Sequence, residues 1–148
     1  MNVEHVIKTD KKIPLETRTI IHLLLVQNKA NEIVGNALKP FEVSQQQFNV
    51  LRILRGQKGK PANLSTLNER MVTKMSNTTR LVDKLLSRGF VNRIVCKANR
   101  RKVEITITQK GMQVLSKMDS AVAEAEKTVL QNFTKKELEQ LNTLLDKF

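Results

Sequence analysis

The residues of this sequence best suited to chemistry lie in one short stretch, and they offer hydrogen bonds and positive charge. Ser76 and Asn77 have short side chains that donate and accept hydrogen bonds, and Arg80 and Lys84 follow at helical spacing. In a helix, these four side chains share one face. Short polar groups at a helix start, with long cations further along, suit a helix that contacts base edges with its first turns and phosphates with its flanks.

The same stretch carries an apolar face. Its residues recur at spacings of three and four, the pattern of a buried helical stripe, and they are Thr78, Leu81, Val82 and Leu85. The pattern predicts a helix over 71–88, which we call the reader helix. Gly89 is expected to end it, because the residue just past a helix often needs a positive φ.

Further elements are predicted on both sides of the reader helix. A short helix over 64–71 precedes it, with Asn63 and Ser65 as alternative N-caps, and is joined to it through a few residues around Val72 and Thr73. Two β-prone runs follow, at 91–96 and 103–108, and the second alternates apolar and polar residues as a half-buried strand does. Helix, turn, helix and a two-stranded ribbon make a winged helix-turn-helix. The predicted fold class is therefore mainly α (α+β), with helices before and after this core.

The wing tip, residues 97–102, joins the two predicted strands and is strongly basic. It reads Lys-Ala-Asn-Arg-Arg-Lys. A cationic tip suits the minor groove of DNA, where narrow A·T-rich stretches concentrate negative potential.

The net charge is concentrated on the same part of the chain. The 148 residues carry a formal net charge of +12, but residues 55–110 hold fourteen of the 26 Lys and Arg against three of the 14 Asp and Glu. That segment is therefore +11, and the rest of the chain is close to neutral. The distribution favours a polyanionic partner for the reader. A merely solvated basic surface is the alternative, which the coincidence with a helix-turn-helix pattern disfavours.

The flanking sequences predict helices that serve another purpose. Residues 1–14 have the composition of a loosely held arm, and a helix with a broad apolar band is predicted over 15–38. Ser44 with Gln47, and Thr134 with Glu137, have the form of capping boxes that begin helices.

These terminal helices exceed what a reader of this size needs for its own core, so we expect them to form a homodimer. The predicted divisions are 1–40 for the N-terminal arm and dimerisation helix, 41–110 for the winged helix-turn-helix, and 111–148 for the C-terminal dimerisation helices.

Other functional classes lack the residues they need. His5 and His22 are the two histidines, and a single cysteine leaves no CxxC pair, so neither a metal site nor a cofactor is expected. Cys96 is expected to be a buried, inert thiol, with a redox role as the alternative because Arg93 and Lys97 would stabilise a thiolate.

Catalytic and membrane signatures are missing as well. The sequence contains no Ser-His-Asp order, no phosphate-binding glycine loop and no paired carboxylates in a plausible pocket, so we do not expect an enzyme. No apolar run has the length of a membrane span or of a signal peptide core. The sequence predicts a soluble protein of the reducing cytoplasm, associated with the nucleoid.

The segment 64–111 resembles the core of the MarR-type regulators, the multiple antibiotic resistance family of bacterial transcription factors. The resemblance is carried by the run RLVDKL at 80–85 with its later arginine-glycine pair, by the basic wing, and by a strand that closes on Thr108-x-Lys110-Gly111. It extends over roughly 44–111. The flanking helices fall where this family keeps its dimerisation helices.

The resemblance implies a homodimer on a pseudo-palindromic operator, usually as a repressor, and typically released by a small-molecule effector. It also implies that the reader helix enters the major groove and that a wing arginine enters the minor groove. The base-reading residues it implies are Ser76, Asn77, Thr79 and Arg80. The wing residues it implies are Arg101 with Arg100 beside it, and Asn99, which stands where the family often has an aspartate that orients the arginine.

Several assignments keep an alternative. Lys74, Lys84 and Lys102 are expected to contact phosphates, with plain solvation as the alternative. For Arg80 the alternative is a surface arginine without a specific contact. Arg88 and Arg93 are given no role in DNA binding, and pairing with acids such as Asp83 is an option for both. For the whole chain, the alternative function is a nucleoid-type protein that binds DNA without sequence preference. A winged-helix protein adaptor is a third reading, which the charge of +11 disfavours.

Overall fold

The protein, seen here as a computed structural model that describes residues 1–73, 77–95 and 103–148, is mainly helical with one small sheet. Its helices are α1 (Val3–Val6), α2 (Leu15–Leu38), α3 (Gln45–Gly56), α4 (Leu64–Arg70), α5 (Thr78–Ser87), α6 (Gln109–Leu130) and α7 (Lys135–Leu145), with a 3-10 turn at Lys39–Phe41. Its strands are β1 (Val91–Val95) and β2 (Val103–Ile107). The predicted fold class, a winged helix-turn-helix with flanking helices, is confirmed.

The chain divides into two compact units. The terminal unit comprises residues 1–34 and 124–148, and the reader unit comprises residues 35–123. The divisions fall inside α2 and α6, so each of these helices contributes residues to both units.

The reader unit is built on a core shared by its helices and its sheet. α3 packs against α4, α5 and β2, and α5 also packs against α4 and β1. Fully buried side chains from these elements include Leu51, Leu54, Leu67, Leu85 and Ile105. Burying each such side chain contributes roughly 1.5–3 kcal/mol of hydrophobic free energy, which holds the reader helix to its support.

The wing is a two-stranded antiparallel ribbon with a short third contact. Val91 pairs with Ile107 and Val95 with Val103, while Ala62 exchanges two backbone hydrogen bonds with Ile105, of 2.9 and 2.8 Å. The predicted alternation of β2 is present, with Ile105 buried and its neighbour in sequence, Glu104, exposed.

The first wing strand has an exposed outer end. Ile94 is 60% and Val95 is 48% exposed. The predicted burial of the adjacent Cys96 concerns a residue outside those that the structure describes, so its inert role stays a prediction.

The predicted beginning of the reader helix is wrong. The sequence pattern put it at Met71, but Met71 has an extended backbone and caps the end of α4, and α5 begins at Thr78. The physical reason is that the Met71 side chain, which is 4% exposed, packs in the core at the end of the preceding helix. Asn63 is the N-cap of α4, since its Oδ1 accepts from the Thr66 backbone nitrogen at 2.8 Å.

Other local predictions are confirmed. α2 runs from Leu15 to Leu38 as predicted. The Ser44 capping box begins α3, and the Thr134 capping box begins α7. Gly89 has a φ of +70°, the left-handed conformation that a helix end often requires.

The terminal unit corrects the prediction of a loosely held N-terminal arm. Residues Val3–Val6 form a short helix that Asn2 caps, and Val3 is fully buried. Arg18 of α2 donates from Nε to Glu4 Oε1 at 2.7 Å, and this contact lowers the pKa of the Glu4 carboxyl. The sequence did not predict this helix because four residues are too few to reveal a periodicity.

Candidate nucleic-acid interface

The reader helix α5 has one face in the core and one face in solvent. Its buried residues are Thr78, Val82 and Leu85, and the exposed residues among its candidates are Thr79, Arg80 and Lys84. The apolar stripe predicted from the sequence is therefore confirmed, and the polar side chains named with it at positions 79, 80 and 84 are free to meet a partner.

A polar contact holds the start of α5 against α4. The Thr78 hydroxyl donates to Oδ1 of Asn68, and Thr78 is 3% exposed. A buried hydroxyl needs such a bond, because leaving it unsatisfied costs about 1–3 kcal/mol. Sequence reasoning missed Asn68, since a bond between two helices leaves no trace in the periodicity of either.

Asn77 lies at the N-cap of α5 and is half-buried. Its side chain makes no capping hydrogen bond, and its Oδ1 is buried without a partner among the described residues. A buried oxygen without a donor is unfavourable by about 1–3 kcal/mol.

Most of the remaining candidate residues fall outside the described residues. They are Lys74 and Ser76 before the reader helix, and Asn99, Arg100, Arg101 and Lys102 in the wing tip. Their base, minor-groove and phosphate roles stay predictions.

The cations around α5 fall into two groups. Arg80 and Lys84 have no acidic partner among the described residues, and neither has Arg70, an exposed cation of α4 that sequence reasoning did not single out. Arg93 of β1, by contrast, donates from Nη1 to Oδ1 of Asp83 at 3.0 Å, as the sequence suggested. The cations that no described acid neutralises, and that could therefore bind an external anion, are those of the first group.

Arg88 belongs with the internally satisfied cations. Its Nη1 donates to the backbone oxygens of Phe41 and Glu42, both at 2.7 Å. Its Nη2 lies 3.3 Å from the Glu42 carboxylate. Asp83 was the acid suggested for it, but Glu42 is its partner, because α5 ends beside the turn that follows α2.

The Thr108-x-Lys110-Gly111 motif, which helped carry the family resemblance, forms a structural junction at the end of α5. Thr108 Oγ1 donates to the Gly89 carbonyl at 2.8 Å and accepts from the Gly111 nitrogen at 2.9 Å. Lys110 Nζ donates to the Arg88 carbonyl at 2.9 Å. We call residues 88–90 and 108–111 the junction; it ties the reader helix to β2 and to the start of α6.

Gly111 is required in the junction because there is no room for a side chain. A Cβ at this position would lie 2.1 Å from the Phe90 carbonyl oxygen, which is a backbone atom. The glycine therefore allows α6 to begin directly against the strand that leaves the reader helix.

Other kinds of site are not formed in the part of the chain that the structure describes. Within residues 1–73, 77–95 and 103–148, no group of three or more His, Cys, Asp or Glu is placed to hold a metal ion. None of the described helices combines the length and the apolar character that a membrane span needs.

Comparison with known proteins points in one direction. Residues 43–103 match the family model described as the MarR family. A MarR transcription factor from Planctomyces limnophilus is 27% identical, with a TM-score of 0.74 over 93% of this chain and 100% of the other.

Two further solved structures share the fold. A mutant of MarR from E. coli, complexed with operator DNA, is 24% identical with a TM-score of 0.75, over 90% of this chain and 93% of the other. BpsR from Bordetella bronchiseptica, whose DNA binding is regulated by 6-hydroxynicotinic acid, is 18% identical with a TM-score of 0.79, over 93% of this chain and 96% of the other.

Proposed function

We propose that the chain is a MarR-type transcription regulator, which the match of residues 43–103 to the family model supports, and that it is a repressor that binds a pseudo-palindromic operator as a homodimer. The observation that carries the proposal is the exposed face of α5. Arg80 and Lys84 stand there without an acidic partner among the described residues, while the nearby cations Arg88 and Arg93 are paired internally.

The base-reading role is assigned to the start of the reader helix. In a helix-turn-helix, the N-terminal residues of the second helix contact base edges and its flanks contact phosphates. The residues in the first role are Ser76, Asn77, Thr79 and Arg80, and those in the phosphate role are Lys74, Lys84 and Lys102. A bidentate arginine contact to guanine discriminates against a wrong base by about 1–3 kcal/mol, so Arg80 would contribute most to specificity.

The wing supplies a second contact. Arg101 enters the minor groove, with Arg100 beside it, and Asn99 stands where the family often has an aspartate. An amide accepts a hydrogen bond but carries no charge, so it orients the arginine less firmly than a carboxylate would. The likeness in fold to a structure complexed with operator DNA supports binding to DNA.

The homodimer is assigned to the terminal unit. That unit exposes several large apolar side chains, which are Leu15, Ile20, Leu24, Val26, Phe133, Leu144 and Phe148. Large apolar side chains left exposed in this number support an interface with a second copy. Two copies related by a two-fold axis present two reader helices to the two halves of an inverted repeat.

Release by a small molecule is the last part of the proposal. It is supported by BpsR, whose DNA binding is regulated by 6-hydroxynicotinic acid. A screen of small molecules for release of the protein from its operator would identify the chemistry of the effector.

Selection of genomic fragments by the purified protein, at about physiological salt, tests the proposal. One or a few sites that share an inverted repeat, with half-sites roughly one helical turn apart, are expected. Uniform recovery of fragments, with affinity that collapses steeply as salt rises, would instead indicate a nucleoid-type protein that binds through charge alone.

A further inference from the structure

We propose that Arg88 is a positioning residue: it sets the sequence specificity of the reader helix without contacting DNA. The inference rests on the proposed function, since it names a determinant of operator recognition. Arg88 is the C-cap residue of α5, and its guanidinium fixes that end of the helix to the turn after α2.

The hydrogen bonds of Arg88 are made to groups that cannot move independently. Two consecutive backbone oxygens, those of Phe41 and Glu42, accept from the same Nη1 at 2.7 Å each. Glu42 has a φ of +52°, so the two carbonyls converge at a left-handed residue that ends the 3-10 turn. Arg88 therefore binds main-chain oxygens of the turn. A side-chain substitution in the turn would not remove these acceptors.

The ion pair with Glu42 is the weaker part of the contact. The Glu42 side chain is 82% exposed and the Arg88 side chain is 32% exposed. Ion pairs in solvent contribute little, because water screens them and ordering two long side chains costs entropy. The carbonyl bonds therefore carry the interaction.

The guanidinium is held in place on its other side. Its Cζ lies 4.9 Å from the centroid of the Phe90 ring, and Lys110 Nζ lies 5.5 Å from the same ring. Phe90 is 4% exposed, so the ring is a fixed part of the core. With Nη1 bonded to two carbonyls and its face against the Phe90 ring, the Arg88 guanidinium is directed into the protein rather than towards a phosphate.

The position of the C-terminal end of α5 matters for recognition, because a small tilt at that end displaces the first turn of the helix. α5 has ten residues and is therefore about 15 Å long. A tilt of about 5° at the C-terminal end would move the first turn by about 1.3 Å, several times the tolerance of a good hydrogen bond. Contacts with phosphates tolerate such a shift better, because long lysine and arginine side chains adapt.

The test compares affinity for the selected operator with affinity for a random duplex of equal length, with every variant shown to be folded by circular dichroism. Arg88→Lys keeps the charge but loses the rigid fork of donors. The ratio of operator to random affinity is expected to fall at least about tenfold, roughly the loss of one good base contact. Glu42→Gln, which removes only the exposed ion pair, is expected to leave the ratio unchanged.

A salt series separates positioning from direct contact. Arg88→Gln is expected to leave the salt dependence of random-DNA binding unchanged, whereas Lys84→Gln should reduce the slope of log affinity against log salt by about 1.8, since each of the two subunits loses one phosphate contact worth about 0.9. A slope reduced equally by Arg88→Gln would make Arg88 a phosphate ligand and overturn the inference. A normal ratio in folded Arg88→Lys would overturn it too, because a merely structural role lowers both affinities together.

Failure of the proposed function would give a different result from failure of the positioning role. In that case the wild-type protein itself would show a ratio near one, before any variant is compared. A high wild-type ratio that Arg88→Lys preserves would instead refute the positioning role alone.

Discussion

At the scale of single residues, cations that look equivalent in the sequence have different surroundings. Arg93 has a carboxylate partner in Asp83 at 3.0 Å, whereas Arg80 and Lys84, one helical turn apart, have none among the described residues. A cation whose donors are already engaged must break those bonds to bind an external anion. The formal charge of the reader therefore overstates the charge available to DNA.

Arg80→Lys tests the base-reading role of the exposed arginine. Lysine keeps the charge but lacks the planar pair of donors that matches guanine, so operator affinity is expected to fall by about 1–3 kcal/mol for each of the two half-sites. Affinity for random DNA should stay nearly constant. Fluorescence anisotropy with both duplexes measures the two quantities.

The matched control is Lys136→Gln, which removes a cation from the exposed surface of α7. It is expected to leave both affinities unchanged. If Arg80→Lys lowered affinity for both duplexes equally, Arg80 would be a phosphate contact or a surface residue, and the reading assignment would be withdrawn.

At the scale of elements, the packing of the junction explains why a glycine stands at position 111. A methyl group at Gly111 would collide with the Phe90 carbonyl, so Gly111→Ala is expected to destabilise the protein by about 1–3 kcal/mol or more. Because the strain lies at the end of the reader helix, operator affinity should also fall. Chemical denaturation and operator binding measure the two effects.

Gly56→Ala is the control for this substitution. A Cβ at Gly56 meets nothing within 4 Å, and the residue ends α3 without a positive φ. Replacement by alanine should be neutral or stabilising by up to about 1 kcal/mol, because the unfolded chain loses freedom. Equal stability of the two alanine variants would show that the junction is not tightly packed.

The capping box of α7 is expected to depend on pH. The Thr134 backbone nitrogen and hydroxyl donate to Glu137 Oε2 at 2.7 and 2.8 Å, and these bonds lower the pKa of Glu137 below its ordinary value of 4.5. A lowered folded-state pKa contributes stability that is fully present above 4.5 and is lost as the pH falls through the lowered value.

The free energy of unfolding of wild type relative to Glu137→Gln should therefore decrease as the pH is taken from 7 to 3. Glu126→Gln, which removes an exposed carboxylate of α6, controls for the change in net charge. A difference between wild type and Glu137→Gln that does not vary with pH would contradict the role of the ionised cap.

The sequence predicts elements well where a local signal exists. The stripe through Val82 and Leu85, the capping boxes and the turn at Gly89 are all set by neighbouring residues, and the structure contains them. The start of the reader helix was placed too early, at Met71, although a turn was expected around Val72 and Thr73. Met71 is buried at the end of α4, and burial in a shared core is a tertiary effect that the local pattern does not show.

The site was predictable only in part. The exposure of Arg80 and Lys84 follows from helical periodicity and was foreseen. The partners of Arg88 lie 46 and 47 residues away in the chain, and no local pattern could reveal them. Contacts of that kind decide which cations remain free, so the division of roles among them needed the structure.

At the scale of the whole molecule, the terminal unit is expected to hold two copies together. Leu24 is 53% exposed on α2, and a charge in a buried apolar interface is strongly unfavourable. Leu24→Asp is therefore expected to shift the protein from dimer to monomer at micromolar concentration and to weaken operator binding at least about tenfold. Sedimentation equilibrium measures the mass.

Val72→Asp provides the control, since it adds the same charge at a valine of the reader unit that is 92% exposed. Its mass in solution should match that of wild type. If Leu24→Asp stayed dimeric, the interface would lie elsewhere, and if wild type itself were monomeric, the palindromic mode of binding would be wrong.

The most direct test of the central claim is the affinity of the wild-type protein for its best selected fragment and for the same bases in scrambled order, at about physiological salt. Specific recognition by the reader helix is expected to give a preference of at least about 10³, and a specific affinity in the nanomolar range. Equal affinity for the two sequences, with the same steep salt dependence, would contradict it and leave only binding through charge.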